Sequence, residues 1–168
     1  MVSEDLLAWL DALGIAHSTV EHPPLRTVED SKRLRGNLHG GHVKNLFLRD
    51  KKGGYWLLVA LEAARIDLRH AATLLEAPRL SFAKAEELAA LLGLQPGAVS
   101  PLAVVNDAAG KVQVVLDQAL LEISPLHLHP LRNDRTTAIA SADLLKFLAA
   151  AAHEPRILPL AASAAPTP

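Results

Sequence analysis

A lysine and an asparagine stand side by side where a strongly apolar strand begins. Residues 42–62 follow the period-two pattern of two strands joined by a short turn, and Lys44 and Asn45 come just before the apolar run 46–48. A strand with apolar residues on both faces is buried on both sides, but lysine is rarely buried unless it is paired. Lys44 therefore either extends to the rim of the sheet or lines a polar pocket.

Two close histidine pairs are the next candidates for chemistry. His39 and His42 are separated by two glycines, and His127 and His129 flank a single leucine. Two histidines at alternate positions of a strand point to the same face and could chelate a metal ion. Neither pair is accompanied by a third histidine or a carboxylate in a matching motif, and the chain has no cysteine. We therefore expect no metal site.

Self-contained catalytic motifs are missing from the sequence. There is no G-x-S-x-G nucleophile elbow, and Ser100 is followed directly by Pro101 in a segment typical of a loop. The glycines of residues 36–41 match neither a phosphate-binding loop nor a dinucleotide fingerprint. The residues by themselves indicate no cofactor and no particular reaction.

The periodic segments that must position these residues mix strands and helices without strict βαβ alternation. Strands are expected at 16–22, 43–49, 55–62, 79–83, 102–107, 111–117, 126–131 and 136–140, with 102–107 and 111–117 forming a hairpin. Helices are expected at 3–13, 28–35, 67–75, 84–92 and 141–153, with Ser3, Thr27 and Ser141 as caps. This order predicts one α/β domain, residues 1–160, in which helices flank a mixed, largely antiparallel sheet. Residues 161–168 are predicted to be a disordered tail.

Composition restricts the class of protein further. Of 168 residues, 50% are hydrophobic and 21% charged, which is typical of one globular domain with a sizeable core. The first residues are acidic and amphipathic, unlike a secretory signal, and no apolar run is long enough for a membrane span. We therefore expect a cytoplasmic protein with no membrane partner.

Charge is distributed unevenly along the chain. Residues 22–84 contain twelve Lys/Arg against six Asp/Glu, whereas the remainder contains five against twelve. A basic segment in a chain of net charge −1 indicates either a face that binds a polyanion or ordinary solvated surface.

Three segments, 40–58, 79–107 and 126–139, resemble the YbaK/prolyl-tRNA synthetase-associated editing domains. They contain the Lys-Asn strand start, a G-x-x-x-P motif at 97–101, and a His-Pro followed by Asn and Thr-Thr. Within that family the chain is most similar to the free-standing alanyl-tRNA(Pro) deacylases (the PrdX or ProXp-ala type), over about residues 15–150. The resemblance implies a hydrolase that cleaves the ester between a wrong amino acid and the 3′ adenosine of tRNA, with neither metal nor cofactor.

The resemblance also implies roles for particular residues. Lys44 would lie near the terminal phosphate or ribose of the substrate, and Asn45 could share the site only if the strand start is bulged or irregular. Gly97 would let backbone N–H groups approach the scissile carbonyl, with Ser100 and Pro101 contacting the substrate.

His129 would position the substrate or the water, assisted by the ribose 2′-hydroxyl. Without the resemblance, residues 97–101 are simply a turn, Lys44 an edge lysine, Asn45 a strand-end hydrogen-bonding residue and His129 a core histidine.

The implied partner is the acceptor end of tRNA(Pro), and prolyl-tRNA synthetase is a further candidate. Arg79 and the cluster of Lys32, Arg33 and Arg35 are candidates for acceptor-stem contacts. A deacylase for another amino acid such as cysteine, a small-molecule hydrolase and a non-catalytic nucleic-acid-binding protein are the alternatives. Against the last, aromatic residues are only 4% of the chain and no RNA-binding aromatic motif is visible.

Overall fold

The structure is a computed structural model and describes residues 1–24 and 38–161, together with Glu29 and Arg33. The strands are β1 (His17–Glu21), β2 (Gly41–Asp50), β3 (Tyr55–Leu61), β4 (Leu80–Phe82), β5 (Val112–Asp117), β6 (Leu126–Leu128), β7 (Arg135–Ile139) and β8 (Arg156–Leu158). The α-helices are α1 (Ser3–Ala12), α2 (Leu68–Leu75), α3 (Ala85–Leu92) and α4 (Ser141–Ala150). Two 3₁₀ helices are η1 (Pro101–Asn106) and η2 (Gln118–Glu122).

These strands form one mixed sheet in the order β1-β7-β6-β2-β3-β5-β8, and β4 also pairs with β2. The pairs β1–β7, β2–β3, β2–β4 and β6–β7 are antiparallel, and β2–β6, β3–β5 and β5–β8 are parallel. The predicted mixed, largely antiparallel sheet with flanking helices is thus confirmed. No helix of the described residues is both long and apolar enough to cross a membrane.

The central strands are buried on both sides because their alternate residues pack into two separate hydrophobic cores. Phe47 and its same-face neighbours pack with α1, α3, α4 and η1 in the larger core. Leu48 and its neighbours pack with α2 in a smaller core that includes Trp56 and Leu160. We call the two sides of the sheet the large-core face and the small-core face; alternation puts Asn45 on the first and Lys44 on the second.

One edge of β2 is only partly covered. Its other edge pairs with β3 from Val43 to Arg49 without a break. On the open edge, β6 pairs with β2 only at Gly41 and His42, and β4 pairs only at residues 48–50. Within the described ranges no strand pairs with residues 43–46 on that edge. We call this opening, between the ends of β6 and β4, the sheet gap.

The predicted hairpin of 102–107 with 111–117 is wrong. Residues 101–106 form η1, because the Ser100 hydroxyl accepts a hydrogen bond from the Leu102 N–H at 3.2 Å and Pro101 occupies the first helical position. The β5 strand pairs in parallel with β3 instead. Apolar residues of η1 are buried in the large core, so a short apolar run was mistaken for a strand.

Two predicted helix caps are also wrong. Val2 and Ala140 precede α1 and α4 without a side-chain cap, and Ser3 and Ser141 are the first residues of the helices. Thr27 and most of the predicted helix 28–35 lie outside the described residues.

The C-terminal region differs from its prediction as well. Strand β8 was not predicted, and Ala161, assigned to the tail, forms a bridge with Ile66. Residues 162–168 lie outside the described residues.

Candidate active site

Lys44 lies at the sheet gap, on the small-core face. Its side chain is half-buried, and Nζ donates a hydrogen bond to the backbone carbonyl of Ala64, in the turn after β3. A half-buried ammonium held by one carbonyl keeps further donors for another acceptor. Lys44 therefore lies at the rim of the sheet, and its role in a site stays a prediction.

Asn45 lies on the opposite face, and the predicted bulge is absent on the β3 side. The register runs regularly through Lys44↔Ala60 and Asn45↔Val59, because both strands are apolar and packed on each side. Asn45 instead reaches the loop before η1: its Nδ2 donates to the Val99 carbonyl at 3.0 Å. Its Oδ1 is buried and accepts no hydrogen bond from any described residue. An unpaired buried acceptor of this kind can accept a hydrogen bond from a ligand or a water molecule.

The loop of residues 97–101 is fixed from its C-terminal side. Ser100 and Pro101 are buried, and the hydroxyl of Ser100 is occupied in capping η1. Gly97 is exposed with φ +94°, and a Cβ there would lie 3.6 Å from Nδ2 of Asn133. The positive φ explains the glycine. Ser100 and Pro101 hold the loop in shape, while Gly97 and Val99 lie toward the solvent and the gap.

His129 follows β6 directly, on the other side of the gap. Its Nδ1 is 2.9 Å from the Arg135 carbonyl. A carbonyl only accepts, so Nδ1 carries the hydrogen and Nε2 of the neutral ring carries the lone pair. Burial lowers the pKa of His129 below its ordinary value of 6.5, and the nearby His22 lowers this pKa further, against the opposing bond to Arg135. His129 is therefore a neutral acceptor at pH 7.

His22 is a site neighbour that sequence reasoning did not single out. Its ring centroid is 6.5 Å from that of His129. Nδ1 donates to the Pro23 carbonyl at 2.8 Å, and Nε2 accepts from the Thr136 hydroxyl at 2.8 Å. The contact joins residues 114 positions apart. Only the pairing of β1 with β7 brings them together, so no local signal could have found it.

His42 and His127, from the two close histidine pairs, contact backbone carbonyls. The rings of His42 and His127 stack, and Nε2 of His127 is 2.5 Å from the His39 carbonyl, so this nitrogen donates. Residues 1–24 and 38–161, with Glu29 and Arg33, contain no group of three His, Cys, Asp or Glu side chains placed to hold a metal ion.

Of the predicted tRNA contacts, Arg79 is the best placed. It is exposed and lines a cavity of about 570 Å³ together with Arg69, between α2 and β4. Arg33 is exposed, and Lys32 and Arg35 lie outside the described residues. The cavity is lined by two guanidinium groups and by the apolar side chains of Leu68 and Leu80. Such a lining suits a ligand that has anionic groups along one side.

The chemistry available at the gap is that of a water-using site. The two nearby hydroxyls are engaged: Ser100 caps η1, and Thr136 donates to His22. An ammonium (Lys44) and an unprotonated imidazole nitrogen (His129) are available at the gap for binding and for orienting water, and a buried, unpaired amide oxygen (Asn45) lies on the opposite face of β2. This set can stabilise an anionic or phosphorylated substrate and direct a water molecule.

Comparison with known proteins identifies the family of the chain. The family described as aminoacyl-tRNA editing domain matches residues 22–147. A prolyl-tRNA editing protein, ProX, of Acetoanaerobium sticklandii is 38% identical over 146 residues, which cover 86% of this chain and 89% of that protein. Prolyl-tRNA synthetase associated domain-containing protein 1 of Bos taurus is 39% identical over 154 residues, covering 89% and 90%.

Similarity of fold extends to solved structures. A crystal structure of a protein proposed to be a trans-editing enzyme for prolyl tRNA synthetase superposes with a TM-score of 0.74. The two chains are 24% identical, and the match covers 96% of this chain and 97% of the other.

Proposed function

Since this chain belongs to the aminoacyl-tRNA editing domain family, we propose that it hydrolyses the ester of mischarged Ala-tRNA(Pro) in trans, in the cytoplasm. The single observation that carries the proposal is the sheet gap. It offers a half-buried ammonium at Lys44 and an unpaired amide oxygen at Asn45, and it lies beside a neutral imidazole at His129. The names of the relatives from A. sticklandii and B. taurus support tRNA(Pro) as the substrate.

Each residue then has a defined task. The Lys44 ammonium holds the terminal phosphate or ribose of the 3′ adenosine by charge-assisted hydrogen bonds. Oδ1 of Asn45 accepts a hydrogen bond from the α-ammonium group of the esterified amino acid. Nε2 of His129 accepts a hydrogen bond from the attacking water, and the ribose 2′-hydroxyl assists its deprotonation. Backbone N–H groups near Gly97 stabilise the negative charge that develops on the ester carbonyl. No metal or cofactor is needed.

The tRNA partner is supported by charge. Arg79 and Arg69 flank a cavity on the small-core side of β4, and residues 22–84 are strongly basic. Contacts of such residues with phosphates supply much of the affinity of a protein for nucleic acid. Arg33 belongs to the same basic segment. Prolyl-tRNA synthetase, which appears in the names of the relatives, is the candidate source of the mischarged substrate.

Selectivity for alanine follows from a size argument. A synthetase pocket built for proline cannot strongly reject the smaller alanine, because a missing methylene is worth only about 1–3 kcal/mol. A second site fitted to alanine reverses the test, since the proline ring must clash with its walls or force them apart. Overpacking of this kind typically costs about 1–3 kcal/mol. Pro-tRNA(Pro) is therefore expected to react between about fivefold and 150-fold more slowly than Ala-tRNA(Pro).

The test is a comparison of initial deacylation rates on tRNA(Pro) charged with alanine, proline or cysteine, at equal and moderate salt. Preference for alanine supports the proposal. Preference for cysteine would overturn the alanine specificity but keep the reaction. Equal rates on all three would show that the site does not read side-chain size, and absence of hydrolysis on all three would overturn the activity.

A further inference from the structure

Phe82 has a large apolar side chain that is exposed to solvent. All six aromatic residues of the chain lie within the described ranges, and Phe82 is the exposed one, at 63% of its surface. It ends the short strand β4, so neither core requires an aromatic ring there. An exposed phenylalanine is a surface that a partner can cover.

The register of β4 determines where this ring lies. Phe82 pairs with Leu48 across β2, and directly paired residues share a face of the sheet. Leu48 belongs to the small-core face, on which Lys44 also lies four positions earlier in β2. At about 3.4 Å per residue the two positions are separated by about 14 Å along the strand. Phe82 thus borders the sheet gap at the end opposite to β6 and His129.

The charged residues next to Phe82 in the sequence are basic, and Glu86 and Glu87 follow them in the first turn of α3. Residues 79–84 contain Arg79 and Lys84, both exposed, and no acidic residue. Leu80, two positions before Phe82, lines the same cavity as Arg79 and Arg69. Along this side of the sheet the register therefore gives an ammonium at the gap, then an exposed aromatic ring, and then a cavity lined by two guanidinium groups.

We propose that Phe82 is a stacking platform for an unpaired nucleobase of the 3′ end of the tRNA. This inference rests on the proposed function, and it adds a residue that positions the substrate without touching the reacting ester. Single-stranded nucleic acids are held by aromatic side chains that stack on bases and by basic groups that follow the phosphates. Phe82 and the neighbouring Arg79 supply one of each. The ring would hold one base while the phosphates continue over the arginines.

The experiment compares deacylation of Ala-tRNA(Pro) by wild type, Phe82→Ala, Phe82→Leu and Phe82→Tyr. Loss of one stacked base should lower kcat/KM of Phe82→Ala by between about fivefold and a hundredfold, mainly through KM. Phe82→Tyr should retain activity, and Phe82→Leu should not, because leucine is apolar but has no π face. The matched control is Ile157→Ala, another exposed apolar residue (42%), on the outer strand β8.

A double-mutant cycle identifies the base. Ala-tRNA(Pro) lacking the base at one unpaired 3′ position at a time is given to wild type and to Phe82→Ala. At the stacked position, removal of the base should lower kcat/KM of wild type by the same factor as the Phe82→Ala substitution does. Removal of the same base should lower kcat/KM of Phe82→Ala little further. Activity of Phe82→Ala within twofold of wild type would overturn the inference. The inference would also be overturned if the losses of kcat/KM caused by base removal and by Phe82→Ala were additive at every position. A Phe82→Ala protein with normal kcat/KM and a changed oligomeric state would overturn it as well.

Failure of this inference is separable from failure of the proposed function. If wild type does not deacylate Ala-tRNA(Pro), the proposed function fails, and binding of uncharged tRNA(Pro) then tests Phe82. Weaker binding by Phe82→Ala and normal binding by Phe82→Tyr would support stacking. Equal binding by wild type and Phe82→Ala would overturn it.

Discussion

The rings of His42 and His127 stack with centroids 4.7 Å apart and planes 16° apart, at the last residue pair that joins β2 to β6. Beyond this pair the two strands separate. Lys44 and His129 each follow it by two positions, one on each side of the opening. The stacked pair therefore marks the closed end of the sheet gap.

Substitution of Lys44 tests the centre of the proposed site. Lys44→Ala should lower the deacylation rate by about a hundredfold, which is typical for loss of one preorganised electrostatic group. The thermal midpoint should change little, because the side chain is half-buried at a rim and not packed in a core. Near-normal turnover by a folded Lys44→Ala protein would refute the assignment. Lys44→Arg, which keeps the charge, separates charge from geometry.

The protonation state of His129 predicts how activity depends on pH. Since burial holds the pKa of His129 below 6.5, Nε2 should remain an acceptor throughout the neutral range. We expect kcat/KM to be constant at neutral pH and to fall on acidification, with its inflection below 6.5. The measurement is a series of initial rates between about pH 5 and 7.5, where histidine titrates.

A matched variant identifies the group that titrates. Coulombic repulsion between His22 and the protonated form of His129 contributes to lowering the pKa of His129, so His22→Ala should move the inflection toward higher pH. An inflection above 6.5 in wild type, or one that is unmoved in His22→Ala, would contradict the role given to His129.

Metal independence is the third prediction. Nε2 of His127 faces the His39 carbonyl and Nε2 of His42 faces the Leu38 carbonyl, so these nitrogens act as donors and not as ligands. Prolonged dialysis against a chelator should leave the deacylation rate unchanged. The control is a rate measured after zinc is added back. Loss on chelation with recovery on zinc would revive the pairs His39/His42 and His127/His129 as ligands.

The sequence predicted those helix ends and turns that are determined by interactions between neighbouring residues. The helix α3 is followed by Gly93, whose φ of +67° favours a glycine, and Asp67 caps α2 by accepting from the Arg69 N–H. The β2–β3 hairpin follows from two apolar runs around a turn at which Asp50 accepts from the Gly54 N–H. Each of these signals lies within a few residues of the element it determines.

The site depended on pairings that the sequence does not encode locally. The parallel pairing of β2 with β6 and the antiparallel pairing of β2 with β4 join distant segments, and together they bound the sheet gap. For the same reason the contact of His22 with Thr136 was missed. The bulge invoked for Asn45 is absent from its pairing with β3, so the place of Asn45 in the site stays a prediction. Lys44 could be singled out because a lysine in an apolar strand is unusual on its own.

Acid stability should depend on a buried pair far from the gap. Asp107 accepts hydrogen bonds from the Lys111 and Val112 N–H groups and from Nε2 of His153, at 3.0, 2.8 and 2.8 Å. Burial by itself raises the pKa of Asp107, but these bonds outweigh it and hold the pKa below its usual value of 3.8. A carboxyl whose pKa is lower in the folded state stabilises the protein at pH values above its unfolded pKa. That stability is lost as the pH falls through the folded pKa.

Asp107→Asn should therefore destabilise the protein most at neutral pH. Removing one partner of a buried pair typically costs about 3–5 kcal/mol, so the free energy of unfolding at pH 7 should fall by an amount of this order. The difference between variant and wild type should narrow below the usual pKa of 3.8, where the wild-type carboxyl begins to protonate. Urea unfolding at several pH values measures the loss at pH 7 and the narrowing of the difference at acidic pH. The control is Asp5→Asn, at an exposed residue. A difference that stays constant down to acidic pH would mean that Asp107 stabilises the fold by packing and not by its charge.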